Sequence, residues 1–169
     1  RDAQESRGLG DVYKRQPFQS KDGQARHKGL EFSINGRLAD KWNILGGFSH
    51  MSAKQEKTTK GALDGIRVNG TSEWTAVLGL EYNPNEAWSI LGRAIYTGKT
   101  PVMNEKIWAP GYTIFDLGVT HKTHFGKIPA ELSLMVNNVF DKDYWQVSRG
   151  NQVYLSLPRT FSFTAKLHF

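Results

Sequence analysis

From Lys28 to Phe169, apolar and polar residues alternate with a period of two, a pattern that two-faced extended strands satisfy and helices do not. Leu30, Phe32, Ile34, Gly36 and Leu38 point one way, and Glu31, Ser33, Asn35 and Arg37 the other. The next segment sets Trp42, Ile44, Gly46 and Phe48 against Asn43, Leu45, Gly47 and Ser49. After a long gap, Trp74, Ala76, Leu78, Leu80 and Tyr82 oppose Thr75, Val77, Gly79 and Glu81. Less cleanly, Trp88, Ile90, Gly92, Ala94 and Tyr96 oppose Ser89, Leu91, Arg93 and Ile95. Phe115, Leu117 and Val119 then face away from Ile114, Asp116 and Gly118, and Leu132, Leu134 and Val136 from Glu131, Ser133 and Asn137. In the last segment Phe161, Phe163, Ala165, Leu167 and Phe169 oppose Thr160, Ser162, Thr164, Lys166 and His168. The pattern predicts an all-β chain, an antiparallel up-and-down meander of about seven strands.

The connections are unequal. Short turns at Ala39–Lys41, Asn83–Glu86 and His124–Lys127 alternate with long loops near Ala53–Ser72, Gly98–Pro110 and Asp141–Pro158. In a meander this puts every short turn at one end and every long loop at the other, the asymmetry of outer-membrane barrels. Residues 1–27 hold neither period and mix Gly, Gln, Ser and charges, so they are expected to be poorly ordered, with the sheet spanning 28–169. The run Gly10–Gln16 resembles read-through tails at the ends of gene models. Residues 1–16 are therefore read either as non-native or as a natural extracellular loop.

Alternation alone does not say whether the apolar face meets a protein core or lipid. The apolar face of these segments carries no charge, whereas Glu31, Arg37, Glu81, Arg93, Asp116, Glu131 and Lys166 lie opposite. The segments run to about 9–11 residues, enough to cross a bilayer at a tilt, where globular strands average about 5–6. Aromatics collect at two levels of the apolar face: Trp42, Tyr82, Trp88 and Phe169 towards the short turns, and Phe48, Trp74, Tyr96 and Phe161 towards the long loops. Amphipathic rings at two levels are what headgroup boundaries favour. The pattern thus favours lipid, and with it a transmembrane β-barrel.

Composition narrows the chemistry. No stretch approaches the roughly 20 apolar residues of a helical span, and the absence of cysteine removes disulfides and thiolate metal sites. A formal charge of +6 raises nucleic acid, an anionic membrane surface or an anionic ligand as partners. No nucleophile elbow, phosphate-binding Gly loop or two-His zinc helix is present, so neither an enzyme nor a resident metal or other cofactor is expected. His27, His50, His121, His124 and His168 are scattered. Lys54, Lys57, Lys60, Arg67, Arg149 and Arg159 fall on or beside the long loops, as do Trp108, Tyr112, Tyr144, Trp145 and Tyr154. Among these, Arg67, Trp108, Tyr112, Tyr144, Trp145 and Arg149 are the candidates for ligand contact, by charge steering or stacking; the basic residues are read alternatively as binding phosphates of the outer leaflet, with solvated charge and loop packing as the competing reading.

The last third of the chain adds a family likeness. Asn137-Asn138-Val139-Phe140-Asp141-Lys142-Asp143-Tyr144, then Pro158-Arg159-Thr160-Phe161 and an alternating strand to Phe169, resembles the C-terminus of TonB-dependent outer-membrane receptors, the ferric-siderophore receptors most of all. Lys28-Gly29-Leu30-Glu31-Phe32, Val68–Trp74 with Leu78–Tyr82, and Pro110–Thr113 with Asp116 are similar to further segments of that family. Leu157 and Thr71-Ser72 depart from it, both in loops, where they bear on the ligand subtype. The resemblance implies an outer-membrane importer of a Gram-negative bacterium with a barrel of many more strands and an N-terminal plug, driven through TonB and carrying ferric siderophores, without nucleic acid as a partner. It implies that Glu31, Arg37, Glu81, Arg93, Asp116 and Glu131 face the lumen in hydrogen-bonded ladders with one another or with the plug. It implies too that Phe169 belongs to the signal read by the barrel-assembly machinery. A small outer-membrane barrel with adhesin or enzyme activity and a soluble β domain binding a ligand or nucleic acid are the alternatives.

Overall fold

The computed structural model describes residues 23–148 and 152–169, so the readings made for residues 1–22 and Arg149 lie outside the described residues. Seven long strands form one antiparallel sheet: β1 (Gln24–Ala39), β2 (Trp42–Glu56), β3 (Trp74–Asn85), β4 (Trp88–Thr97), β7 (Tyr112–Phe125), β8 (Ile128–Asn137) and β11 (Thr160–Leu167). They pair in the order β1-β2-β3-β4-β7-β8-β11, each with its neighbour along the meander. Two short hairpins are inserted: β5 (Thr100–Val102) with β6 (Ile107–Ala109), and β9 (Trp145–Val147) with β10 (Val153–Leu155). The all-β meander expected from the alternation is the fold observed.

The turns obey the same asymmetry. Asp40-Lys41, Glu86-Ala87 and Gly126-Lys127 connect strands at one end of the sheet. Residues 57–73, 98–111 and 138–159 connect them at the other. Two-residue turns fix hairpin register tightly, and Gly126 supplies the left-handed φ of 64° that its turn requires.

Register carries the alternation across the sheet without a slip of face. Ile34, Gly46, Leu78, Ala94 and Phe115 form one row of successive partners. Leu80, Gly92, Leu117, Val136 and Phe161 form another on the same side. A one-residue slip anywhere would turn a whole strand over. On the opposite side Gly118 lies across from Met135, and a Cβ at Gly118 would sit 2.9 Å from the Met135 methyl, so the glycine leaves the room that this long side chain fills.

The sheet is a single layer. Among the described residues the buried apolar side chains are Ala53, Pro101, Val102, Ala109 and Ala130, with no large aromatic or Leu among them. The big apolar residues lie open: Leu30 is 65% exposed, Leu78 47% and Phe163 68%. A soluble sandwich or barrel of this length buries such residues against a second layer; among the described residues no second layer covers them. Contiguous apolar surface on this scale marks a site of contact with another phase or chain.

Strand length departs from the expectation. β1 and β2 run to 16 and 15 residues, beyond the 9–11 read from alternation, and β11 stops at 8. β1 opens at Gln24, upstream of the Lys28 boundary, and β2 continues through Glu56 into what reads as loop. The reason is physical: beyond Leu30 the face that was apolar turns polar (Gln24, Arg26, Lys28, Ser52, Lys54, Glu56) and the other carries small or mixed residues (Ala25, His27, Gly29, Met51, Ala53, Gln55), so backbone pairing continues after the apolar signal has ended. This extension places Arg26, Lys28, Lys54 and Glu56 on the side of the sheet that carries Leu30 and Phe48. That face is therefore uncharged only within its apolar band.

Candidate functional site

Two regions hold the polar chemistry: the polar face of the sheet and the cluster of long loops at one end.

Register sets Glu31, Arg37, Glu81, Arg93, Asp116 and Glu131 on one common face. Of these six, only Arg93 and Asp116 meet. They are direct cross-strand partners on β4 and β7, and Arg93 donates through Nε (3.0 Å) and Nη2 (2.7 Å) to Asp116 Oδ2. Asp116 is buried at 2% exposure, and its other oxygen accepts the backbone N–H of Asn138 at 2.9 Å. Asn138 in turn closes its own turn, its amide donating to the Lys142 carbonyl and its Oδ1 accepting the Lys142 N–H. The backbone of Val139 donates to Phe115, and Asp141 Oδ1 accepts the Arg159 N–H at 2.7 Å. The Asn-Asn-Val-Phe-Asp and Pro-Arg-Thr segments are thus one knot tying β4, β7, β8 and β11 together. Sequence reading missed Asn138 as its centre; the Asn-Asn pair at a strand end, with left-handed φ at Asn138, is the signal that marks it.

The remaining members take other partners. Glu81 accepts from Asn43 Nδ2 (2.9 Å) and the Ser89 hydroxyl. Glu131 lies in register between Lys122 and Lys166, and the Thr120 and Ser133 hydroxyls bond at 3.0 Å. Glu31 is opposite Ser49, and Arg37 turns back to Asp40 in its own hairpin. In place of the expected ladder, these six charges form one ion pair among themselves, while Glu81 bonds to neutral side chains and Arg37 to Asp40.

At the long-loop end, Arg67 Nη1 donates to Glu73 Oε2 at 2.6 Å, and its Nε lies 3.4 Å from Glu105. His50 Nε2 is 3.2 Å from the other Glu73 oxygen. The Arg67 hydrogen bond, with His50 adding to it, lowers the Glu73 carboxyl below its ordinary value. Asn69 and Asn104 lock reciprocally, the Asn104 N–H donating to Asn69 Oδ1 at 2.8 Å. This lock holds the β5–β6 turn, where Met103, Asn104 and Glu105 are all left-handed, with φ of 51°, 56° and 64°. Left-handed backbone costs roughly 1–2 kcal/mol per ordinary residue, so the turn persists because Asn69 and Arg67 hold it.

Trp108 lies beneath two cations, with Lys99 Nζ at 4.7 Å and the Arg67 guanidinium carbon at 5.8 Å from its ring centre. A cleft of about 360 Å³ opens between the two loop hairpins, lined by Val102, Ile107, Trp108, Pro110, Trp145 and Val153. Tyr112 and Tyr144 stack at 4.0 Å, and burial is the main cause that raises the Tyr144 hydroxyl above its ordinary value. Of the six loop candidates, Trp108 and Trp145 line one cleft with Arg67 beside it, and Tyr112 and Tyr144 form a separate stack. Lys99, Glu73 and Glu105 escaped sequence reading; only register and loop closure bring them to Arg67 and Trp108. Among the described residues no group of three or more His, Asp or Glu side chains comes together.

The comparisons with known proteins agree with this geometry. The profile of the family described as TonB dependent receptor-like, beta-barrel, matches residues 2–139. The chain is 27% identical over 163 residues to the catecholate siderophore receptor Fiu of Escherichia coli (strain K12), covering 89% of the chain and 20% of Fiu. It is 25% identical over 135 residues to the probable TonB-dependent siderophore receptor PiuA of Acinetobacter baumannii, covering 73% of the chain and 18% of PiuA. The crystal structure of BauA, the ferric preacinetobactin receptor from Acinetobacter baumannii, superposes with a TM-score of 0.79 at 25% identity, over 86% of the chain and 22% of BauA. The chain spans about a fifth of the length of these relatives. Profile, relatives and sheet together establish that the chain belongs to the TonB-dependent receptor family and forms part of its β-barrel.

Proposed function

We propose that this chain is a seven-strand portion of an outer-membrane receptor that takes up ferric siderophores in a TonB-dependent manner. The observation that carries the reading is the pairing of the family match with a single-layer sheet whose apolar face is open and whose long loops gather at one end. Lipid covers the apolar face, since a bilayer core leaves no other partner for such a surface, and the polar face lines a wet or plugged lumen. The open edges of β1 and β11 take strands of the remaining barrel, because an unpaired edge is not sustained in hydrocarbon. TonB acts through the plug, and Phe169, which continues the apolar row of β11, serves the barrel-assembly machinery.

In the loop cluster the Trp108–Trp145 cleft offers stacking surface, with the cations Lys99 and Arg67 on the Trp108 ring adding positive potential for an anionic ferric chelate. Tyr112 and Tyr144 form a second aromatic surface. Radiolabelled ferric chelates supplied to a Gram-negative host that lacks its own receptors, and expresses the complete receptor, test the reading. Uptake that disappears when TonB is deleted is expected. A receptor that moves no ferric chelate, or moves one equally well without TonB, overturns it.

A further inference from the structure

The β1–β2 hairpin runs on beyond its apolar row, and its excess length carries the charge. Its register is unbroken from Gln24↔Glu56 to Arg37↔Asn43, so Gln24, Arg26, Lys28, Leu30 and Phe32 share a face with Glu56, Lys54, Ser52, His50 and Phe48. That face is the apolar one. Phe32 and Phe48 are in ring contact at 5.9 Å, and His50 packs on Trp74 at 4.2 Å, forming the aromatic level nearest the long loops. Beyond it, Lys28 lies one step up the same face and the Arg26–Lys54 pair a further step, each step being about 6–7 Å along a strand. The cations begin where the apolar row ends.

Their pairing is unfavourable if the protein is taken alone. Arg26 and Lys54 are direct cross-strand partners, and like charges so placed repel. Glu56 answers Arg26 alone, at 3.2 Å. On its far side Lys54 is bridged to Arg67, whose charge is taken by Glu73 and Glu105. Among the described residues Lys28 and Lys54 form no ion pair. The hairpin therefore sets unneutralised cations, pointing outward, at the height where the apolar band gives way to headgroups.

We propose that Arg26, Lys28 and Lys54 form a binding site for the phosphate groups of an outer-leaflet lipid whose acyl chains lie along Leu30, Phe32 and Phe48. The proposal rests on the outer-membrane reading above. Charge complementarity and direct continuity with the lipid-covered face select a lipid phosphate over a free anion: the chains bury against the apolar row while the phosphates meet the cations. An anionic ligand also offsets the Arg26–Lys54 repulsion, which Glu56 answers only on the Arg26 side.

The test uses the complete receptor, purified in detergent and titrated with bisphosphorylated lipid A, dephosphorylated lipid A and inorganic phosphate, retention being read by native mass spectrometry. The wild type is expected to retain the phosphorylated lipid at least about tenfold more tightly than the dephosphorylated one, with about fivefold lost per neutralised cation. R26Q/K28Q/K54Q should erase the preference, whereas K127Q, in a turn at the opposite end, should leave it intact. Should the triple variant fail to fold, K28Q and K54Q singly carry the same expectation at about fivefold each. Equal retention of the two lipids, an unchanged preference in the variants, or displacement of the lipid by inorganic phosphate overturns the proposal while leaving the membrane reading standing. A wild-type receptor that does not enter bilayers overturns that reading, and the lipid site with it.

Discussion

The two faces of this sheet are made by the same strands, yet they are organised by different rules. The apolar face repeats: rows such as Ile34–Gly46–Leu78–Ala94–Phe115 contain no directional bond, and almost any apolar side chain fits a fluid partner. The polar face is specific. Arg93 has one acceptor, Asp116 has two donors, and Glu81 sits between Asn43 and Ser89. A face that meets lipid needs only to be apolar, whereas a face that meets water or a plug must satisfy its groups one by one.

The largest expected effect comes from breaking the specific face. Arg93→Leu leaves the buried Asp116 carboxylate with the Asn138 N–H alone, and removing one partner of a buried pair costs up to about 3–5 kcal/mol. Urea unfolding of the complete receptor, followed by tryptophan fluorescence, should show that loss. Next come paired substitutions at one depth. Leu78→Arg places a charge on the lipid side and should cost about 2–4 kcal/mol. Val77→Arg, one residue away on the polar side, should cost clearly less, and equal costs for the two would break the two-face account.

Smaller effects belong to the loops. Arg67→Gln removes ion pairs that are nearly a third exposed, so global stability should fall by no more than about 1 kcal/mol. Its sharper consequence is local: the left-handed turn at Met103–Glu105 should become faster in amide exchange or proteolysis. The least effect is on pH dependence. Because the Arg67 hydrogen bond, with His50 adding to it, lowers the folded-state pKa of Glu73 below its ordinary 4.5, its contribution is complete above that value. It is lost as pH falls through the lower folded-state value. Glu73→Gln should flatten this acid-side loss in the loop's exchange rates.

How far these features can be read from sequence follows from the range of the interactions that make them. Seven strands, their faces and the uneven connections are written in local alternation, since each strand carries its own period. The Arg93–Asp116 pair is not, because residues 23 apart meet only once the β4–β7 register is set. The hairpins β5–β6 and β9–β10 escape because three-residue strands are too short to show a period. The upper part of β1 and β2 escapes for another reason: the face that is apolar lower down becomes polar there, so the alternation breaks while the pairing goes on. In the loops, Arg67 and Trp108 stand out by residue type, but Lys99, Glu73, Glu105 and Asn104 acquire meaning only through folding.

The central claim, that one face meets lipid and the other does not, is open to a direct scan along β3. The chain has no cysteine of its own, so single cysteines from Trp74 to Asn85 can carry a spin label in the receptor reconstituted into bilayers. Collision rates with oxygen, which concentrates in hydrocarbon, should alternate with a period of two, high at Ala76, Leu78 and Leu80 and low at Val77, Gly79 and Glu81. A flat profile, or one with the phases reversed, would contradict the account.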